Sequence, residues 1–431
     1  MPIKIATFLL ISFCMIQADA QTLTNQWFQD FLVNNGTEKF RNILNKKQEH
    51  RIQIIYTKID RDENNNPSFI SSYFNVNDQN YFNPASTVKL PLAILSLEKL
   101  NELNIPNLNK HSRMAFDSTY SGQTEKITDE TSETGYPSIA HFIKKAMIVS
   151  DNDAYTRMYE FVGPQKVNER LHEMHYPNVR IMHRFVPMSL EENRHTNAVR
   201  FYNDAGEEIY YQAPQHNAGA YDHSRDEHLG KAYMNNQDKI INQPFDFSVK
   251  NRISLPELNS ILQSVLFPEY VSLNRKFNLT TEDYSFLYQY LSQFPGETNY
   301  PKYDSKKFYD TYVKYFFGNK AHQNMPEGVR VFNKVGWAYG FLTDISYVAD
   351  FKNNIEFMLS ATIYVNENET LNDGVYEYEE TGLPFLYELG QIIYKHELER
   401  NRQYTPDLSA FKVQYDFQEK DERPVITEVE N

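Results

Sequence analysis

The sequence predicts an α+β chain in which an antiparallel sheet is assembled from both chain ends, with helices flanking it and an all-helical lobe inserted between. Strand patterns cluster at the two ends. Arg51 to Tyr56 is rich in isoleucine, Asn64-Asn65-Asn66-Pro67 supplies turn residues, and Phe69 to Phe74 reads as the return arm of a hairpin. Near the other end, Val329 to Val335 and Leu342 to Ala349 read as a second hairpin, and Ile355, Phe357, Leu359, Ala361, Ile363 and Val365 alternate with period two. Between these ends, helical periodicity dominates.

Taken in order, Trp27, Phe28, Phe31 and Leu32 share one face of an amphipathic helix, and Val88, Leu92, Leu95 and Leu100 line a stripe on another. Ser138 to Val149 and Gln165 to Met174 predict two more helices, and Ser254-x-x-Glu257 and Thr280-x-x-Asp283 are capping-box signals for a further two. Asn197 to Gln212 reads as a small hairpin turning at Asn203-Asp204-Ala205-Gly206, and Leu383 to Lys395 as the last helix. The expected organisation is an α/β lobe from about 21–85 and 326–405, a helical lobe of about 86–325 with an insertion of about 188–250, and a loose acidic tail over 413–431.

The chain of 431 residues begins Met1-Pro2-Ile3-Lys4, runs through an apolar stretch from Ile5 to Ile16 and reaches Ala18-Asp19-Ala20. That pattern predicts a cleaved signal peptide over 1–20, an exported mature chain from Gln21 and no stable membrane span. The only cysteine is Cys14, inside that segment, so the mature chain is expected to have no disulfide or thiol chemistry. A formal charge of -14 with scattered basic residues argues against nucleic-acid binding. Hydrophobic residues make up 41%, with 31 Tyr and 29 Phe, which argues for a packed core rather than long disorder.

Chemistry concentrates at Ser86-Thr87-Val88-Lys89. One helical turn separates the hydroxyl from the amine, so a deprotonated Lys89 could take the proton from Ser86 and make it a nucleophile. The spacing alone is weak, because Ser96-Leu97-Glu98-Lys99 and Ser409-Ala410-Phe411-Lys412 repeat it; these read as an exposed helix face and a tail segment. Two further signals follow in order: Ser150-Asp151-Asn152 where one helix gives way to the next, and Lys334-Val335-Gly336 on a strand edge.

Together the three motifs resemble the signature of the class A β-lactamases and penicillin-binding proteins. The resemblance spans about residues 24–400 and implies a β-lactamase/transpeptidase-like fold, no cofactor or metal, and a bacterial periplasmic setting. It implies that Ser86 attacks the carbonyl of a β-lactam or D-alanyl peptide, that Lys89 helps remove its proton, and that Ser150 shuttles a proton to the leaving nitrogen. Asn152 and Lys334 then hold the substrate amide and carboxylate, while Gly336 and Trp337 line the cleft and the backbone N–H groups of Ser86 and Trp337 form the oxyanion hole.

Three departures modify that expectation. From Ser150 to Lys334 is 184 positions, longer than the family layout, which places an insertion in the helical lobe. Where class A enzymes carry a deacylating glutamate shortly after an arginine, this chain reads Arg184-Phe185-Val186-Pro187, leaving Glu191 and Glu192 as the candidate bases or as exposed loop acids. Val335 replaces a hydroxyl residue expected to meet the substrate carboxylate, a hydrogen bond worth about 1.5–3 kcal/mol on a charged acceptor.

His216, His223 and His228 with Asp226 match no zinc spacing and read as a solvated loop, and Arg194-His195-Thr196-Asn197 reads as a structural turn or a cleft lining. Three functions fit: an exported serine hydrolase opening a β-lactam through an acyl-enzyme on Ser86, a D-alanyl peptidase or esterase of the same superfamily with slow deacylation, and a non-catalytic binding or sensing module on this fold.

Overall fold

The computed structural model describes residues 22–118, 122–318, 323–416 and 425–429. The predicted signal peptide lies outside them, and among the described residues no helix is long and apolar enough to cross a membrane.

The chain ends build one antiparallel sheet. Its strands are β1 (Gln53–Arg61), β2 (Pro67–Phe74), β3 (Val329–Ala338), β4 (Phe341–Asp350) and β5 (Ile355–Tyr364), in the order β3-β4-β5-β1-β2. Pairing β1 with β5, Ile54 opposite Ala361, joins the N-terminal hairpin to the C-terminal strands and leaves β3 at one edge. β3 and β4 turn tightly at Tyr339 and Gly340, both at positive φ (52° and 81°), the geometry a two-residue hairpin needs to follow strand twist.

The period-two residues of β5 all face one core, shared with Phe28, Leu32, Phe40, Phe385 and Leu389 from α1 (Gln26–Asn35), α2 (Glu38–Asn45) and the last helix, Leu383–Glu399. The intervening positions of β5 are equally buried, against the helical lobe. Their polar groups are satisfied there: Ser360 donates to Asn259 at 2.9 Å, Thr343 to Thr362 at 2.8 Å, and Glu356 pairs with Arg61 at 2.6 Å. The strand that alternates with period two is therefore covered on both faces.

The helical lobe contains α3 (Lys89–Leu103), α4 (Ile139–Ile148), α5 (Asn152–Val162), α6 (Pro164–Glu173), α7 (Leu255–Leu266) and α8 (Thr281–Ser292); the last helix, Leu383–Glu399, is α9. Ser138, Ser254 and Thr280 cap their helices as expected. α3 is the central helix, buried on nearly every side rather than along one stripe, and this corrects the reading of Ser96-Leu97-Glu98-Lys99 as an exposed face. Ser96 donates to Leu92 O at 2.8 Å, Glu98 pairs with Arg170 at 2.9 Å and Lys99 donates to Gln212 at 2.6 Å. Each group satisfies a buried partner, which leaves no Ser–Lys pair.

The insertion supplies the expected hairpin, Val199–Tyr202 with Glu208–Gln212, which extends a strand at Arg113–Phe116. Beyond it, Ala232–Met234 pairs in parallel with Thr370–Leu371, so the insertion is tied back to the α/β lobe. The tail is not loose where it is described. Just before it, Phe411 is buried against Phe267, Phe332 and Tyr347; within it, Asp416 pairs with Lys144 and accepts from Gln289 at 3.0 Å, and Ile426 bridges Tyr303.

α9 crosses the terminal-helix face at Gly390, where an added Cβ would stand 2.2 Å from Phe316 O. Backbone cannot yield as a side chain can. Gly390→Ala is expected to lower stability by about 1–3 kcal/mol, read from the urea midpoint at unchanged m-value.

Candidate active site

A strained turn presents Ser86. Asn83 Oδ1 accepts from Ala85 N at 2.8 Å, and Pro84 O accepts from both Thr87 N and Thr87 Oγ1 at 3.0 and 2.6 Å. Ala85 is held at φ 43°, a conformation that costs a non-glycine residue of order 1 kcal/mol or more and persists only when its surroundings impose it. A single 3₁₀ turn, Ala85–Val88, then feeds α3, whose first residue is Lys89. Ser86 remains half-buried while Lys89 is fully buried beneath it.

The three motifs converge on the lysine amine. Lys89 Nζ lies 2.9 Å from Ser86 Oγ, 2.6 Å from Asn152 Oδ1 and 3.2 Å from Ser150 Oγ, and also donates to the Ser150 carbonyl. Lys334 Nζ reaches the same Ser150 hydroxyl from the sheet edge at 2.9 Å. Ser150 therefore bridges two buried amines. It sits at φ 64° between α4 and α5, where Asp151 caps α5 by accepting from Ala154 N at 2.8 Å and pairs with Lys145 at 3.4 Å.

Electrostatics favour a neutral amine. Burial pushes the Lys89 pKa well below its ordinary value, the Lys334 cation pushes the same way, and Asp151 opposes them. Lys334 is itself lowered to about 7, by burial first, with Asp344 opposing and Lys314 assisting. The four oxygen acceptors around Lys89 Nζ work against burial by favouring the ammonium. A neutral Lys89 instead offers one lone pair to the Ser86 proton.

Gly336 lets the sheet reach this turn. An added Cβ would stand 2.5 Å from Pro84 O and 3.1 Å from Thr87 Cγ2, so only glycine brings β3, and with it the backbone of Trp337, this close to Ser86. Trp337 is 48% exposed and packs edge-on to Tyr378 with ring centroids 4.8 Å apart. Val335 points the other way, buried in the terminal-helix core, which corrects its expected place beside a substrate carboxylate.

The loop after α6 does not bring a carboxylate to the serine. Arg184 is fully buried, pairs with Glu160 at 2.9 Å and donates to His195 O at 2.6 Å, so the loop folds around its guanidinium. Phe185 stacks on Tyr155 at 4.3 Å and stands 5.2 Å from Lys89 Nζ, with Val186 following it half-buried. Glu191 is exposed and meets His195 at 2.9 Å; Glu192 is exposed and accepts from Ser189 N and Oγ at 2.7 Å. Among the described residues, neither hydrogen-bonds Ser86, Lys89 or Ser150. Thr196 and Asn197 are buried and Arg194 donates to Asn217 O at 2.8 Å, which makes that segment a structural turn.

Sequence reasoning misses a second buried cluster beneath Lys334. Lys314 donates to Asn333 Oδ1 at 2.5 Å, and Asn333 Nδ2 to Asp344 Oδ1 at 2.8 Å. Burial raises Asp344 to about 6 and lowers Lys314 to about 7. The available signal was a single charged residue, Asp344, inside the strand pattern Leu342 to Ala349.

Residues 35–214 match the model of the β-lactamase enzyme family, a segment that contains the Ser86 and Ser150 turns and ends before Lys334. This match supports the resemblance to β-lactamase-like and penicillin-binding-protein-like serine hydrolases. No curated protein matches the chain. Among solved structures, the chain is similar to a β-lactamase from Desulfarculus baarsii at 11% identity, covering 81% of this chain and 94% of that one with a TM-score of 0.46. It is similar to a β-lactamase from Chitinophaga pinensis at 10% identity, covering 83% and 97% with a TM-score of 0.44. A PBP-A variant in an acyl-enzyme complex with penicillin G is similar at 11% identity, covering 83% and 97% with a TM-score of 0.44.

Because Gly336 sets the gap between β3 and the Ser86 turn, Gly336→Ala is expected to slow covalent labelling of Ser86 by a penicillin or fluorophosphonate probe on the order of 10²-fold. The circular dichroism spectrum should stay unchanged. Labelling at the original rate would show that the gap does not matter.

Proposed function

We propose that this chain is an exported serine hydrolase that opens a β-lactam through an acyl-enzyme on Ser86. The observation that carries the reading is the 2.9 Å approach of a desolvated Lys89 amine to the Ser86 hydroxyl. In the proposed reaction Ser86 Oγ bonds to the amide carbonyl carbon and its proton passes to Lys89 Nζ. Backbone N–H groups of Ser86 and Trp337 receive the developing oxyanion. The ring C–N bond then breaks, and its nitrogen takes a proton through Ser150, which lies within reach of both lysines. Asn152 and Lys334 position the substrate amide and carboxylate. Water finally cleaves the Ser86 ester.

A second reading, a peptidase or esterase of the same superfamily that is acylated by penicillin but releases it slowly, is favoured by one specific observation. The loop from Arg184 to Asn197 presents Phe185 to Lys89 and turns Glu191 and Glu192 towards other partners. A missing positioned base costs about 10²–10⁴ in rate.

Intact-mass spectrometry separates the two. Penicillin is expected to acylate Ser86, with no adduct in Ser86→Ala. A persistent adduct supports slow release, whereas rapid chromogenic cephalosporin turnover without an adduct supports the β-lactamase reading. Neither adduct nor turnover in folded protein would sink both.

The two lysines also predict a pH profile. Acylation requires neutral Lys89, so the rate rises with pH through its lowered pKa. It falls again as Lys334 loses its charge near the value of about 7. With an uncharged fluorophosphonate as probe, Lys334→Met is expected to move the rising limb to higher pH, because the cation that depresses Lys89 is gone. An unmoved limb would show that the two amines are not coupled.

A further inference from the structure

Outside the serine site, one cluster of metal-ligating side chains is held by paired backbone. His195 and His216 face each other across an isolated antiparallel bridge, with Thr196 N donating to Gln215 O at 2.9 Å and Asn217 N to Arg194 O at 2.8 Å. Their rings stack at 4.3 Å, and both Nε2 atoms approach one carboxylate oxygen: Glu191 Oε1 is 2.9 Å from His195 and 3.4 Å from His216. One ligand atom from each residue lies within 4.8 Å of the others.

We infer that Glu191, His195 and His216 form a divalent-cation site of the zinc type. Imidazole nitrogens and a carboxylate are first-row metal ligands, and bonds of about 2.0–2.2 Å at tetrahedral angles put neighbouring ligand atoms about 3.3 Å apart. The separations of 2.9 and 3.4 Å from Glu191 Oε1 to the two imidazoles bracket that edge. Glu191 is exposed, so the cation has access and a fourth position stays open to water.

The site would clamp a loop to the insertion. Glu191 and His195 lie on one side of a 3₁₀ turn, Glu192–Arg194, whereas His216 belongs to the segment after the Glu208–Gln212 strand. The carbonyl of His195 accepts from Arg184, next to the Phe185 ring that stands over Lys89. A bound cation therefore fixes the far end of the loop that covers the lysine. Neither the cluster nor its test depends on acyl transfer at Ser86.

Tag-free, chelator-stripped protein titrated with Zn²⁺ by calorimetry, and with Co²⁺ by visible absorption, is expected to take up one ion per chain and to unfold at higher temperature with Zn²⁺ present. His216→Ala and Glu191→Gln, both at exposed positions, should each weaken affinity more than about tenfold and remove the thermal shift while circular dichroism stays unchanged. The inference is overturned if no ion is retained, which would leave an ordinary His–Glu ion pair, or if uptake is the same in both variants.

Discussion

The contact on which the rest of this structure depends is the sharing of one hydroxyl, that of Ser150, by two buried amines. Bringing two lysines out of water into one cavity is unfavourable unless at least one of them is neutral. The molecule therefore needs a rigid frame that prevents either amine from swinging back to solvent. Three segments far apart in the chain provide it: the Ser86 turn with α3, the left-handed turn at Ser150, and the edge strand β3. The unfavourable electrostatics and the proton-accepting capacity are the same fact seen from stability and from chemistry.

That frame extends below the site. Lys334 comes from β3, where Asn333, its neighbour on the opposite face, joins Lys314 to Asp344 on β4. A polar cluster in a sheet core stabilises only if every member has a partner, and here each has one. The cluster holds the edge strand in register while adding a further positive charge that, with burial, keeps Lys334 near neutrality. Across the cleft, Arg184 and Glu160 do the equivalent for the loop over Lys89. Both are fully buried, and removing Glu160 would leave the Arg184 guanidinium without its carboxylate, a loss of about 3–5 kcal/mol; Glu160 is in turn shared with Arg157 at 3.6 Å. The sheet edge and the loop are thus fixed by separate polar clusters.

Much of this was legible in the sequence, for identifiable reasons. The capping boxes at Ser254 and Thr280 and the alternation in Ile355 to Val365 are local signals, and both appear where expected. Motif order assembled the Ser86, Ser150 and Lys334 cluster without any distance. What escaped depends on contacts across the chain. Ser96 and Lys99 carry the same spacing as Ser86 and Lys89, and only tertiary partners such as Gln212 and Arg170 distinguish them. Glu191 was weighed as a base because of its position after Arg184, but the pairing of His195 with His216 across the insertion decides where its carboxylate goes.

The insertion also alters the rim of the cleft. Its residues Phe245 and Phe247 pack against Tyr339 at the β3–β4 turn, with centroids 5.5 and 5.4 Å apart. Two positions earlier on the same hairpin, Trp337 leans on Tyr378, whose hydroxyl oxygen accepts from Gly340 N at 2.7 Å. The hairpin tip is thereby gripped from both sides by aromatic rings. Gly336 and Trp337 continue directly from that tip, so the insertion packs on the same hairpin whose backbone stands beside the Ser86 turn. The extra length in the helical lobe is then not a passive decoration: it packs against the hairpin whose edge strand stands beside the Ser86 turn and carries the half-exposed Trp337.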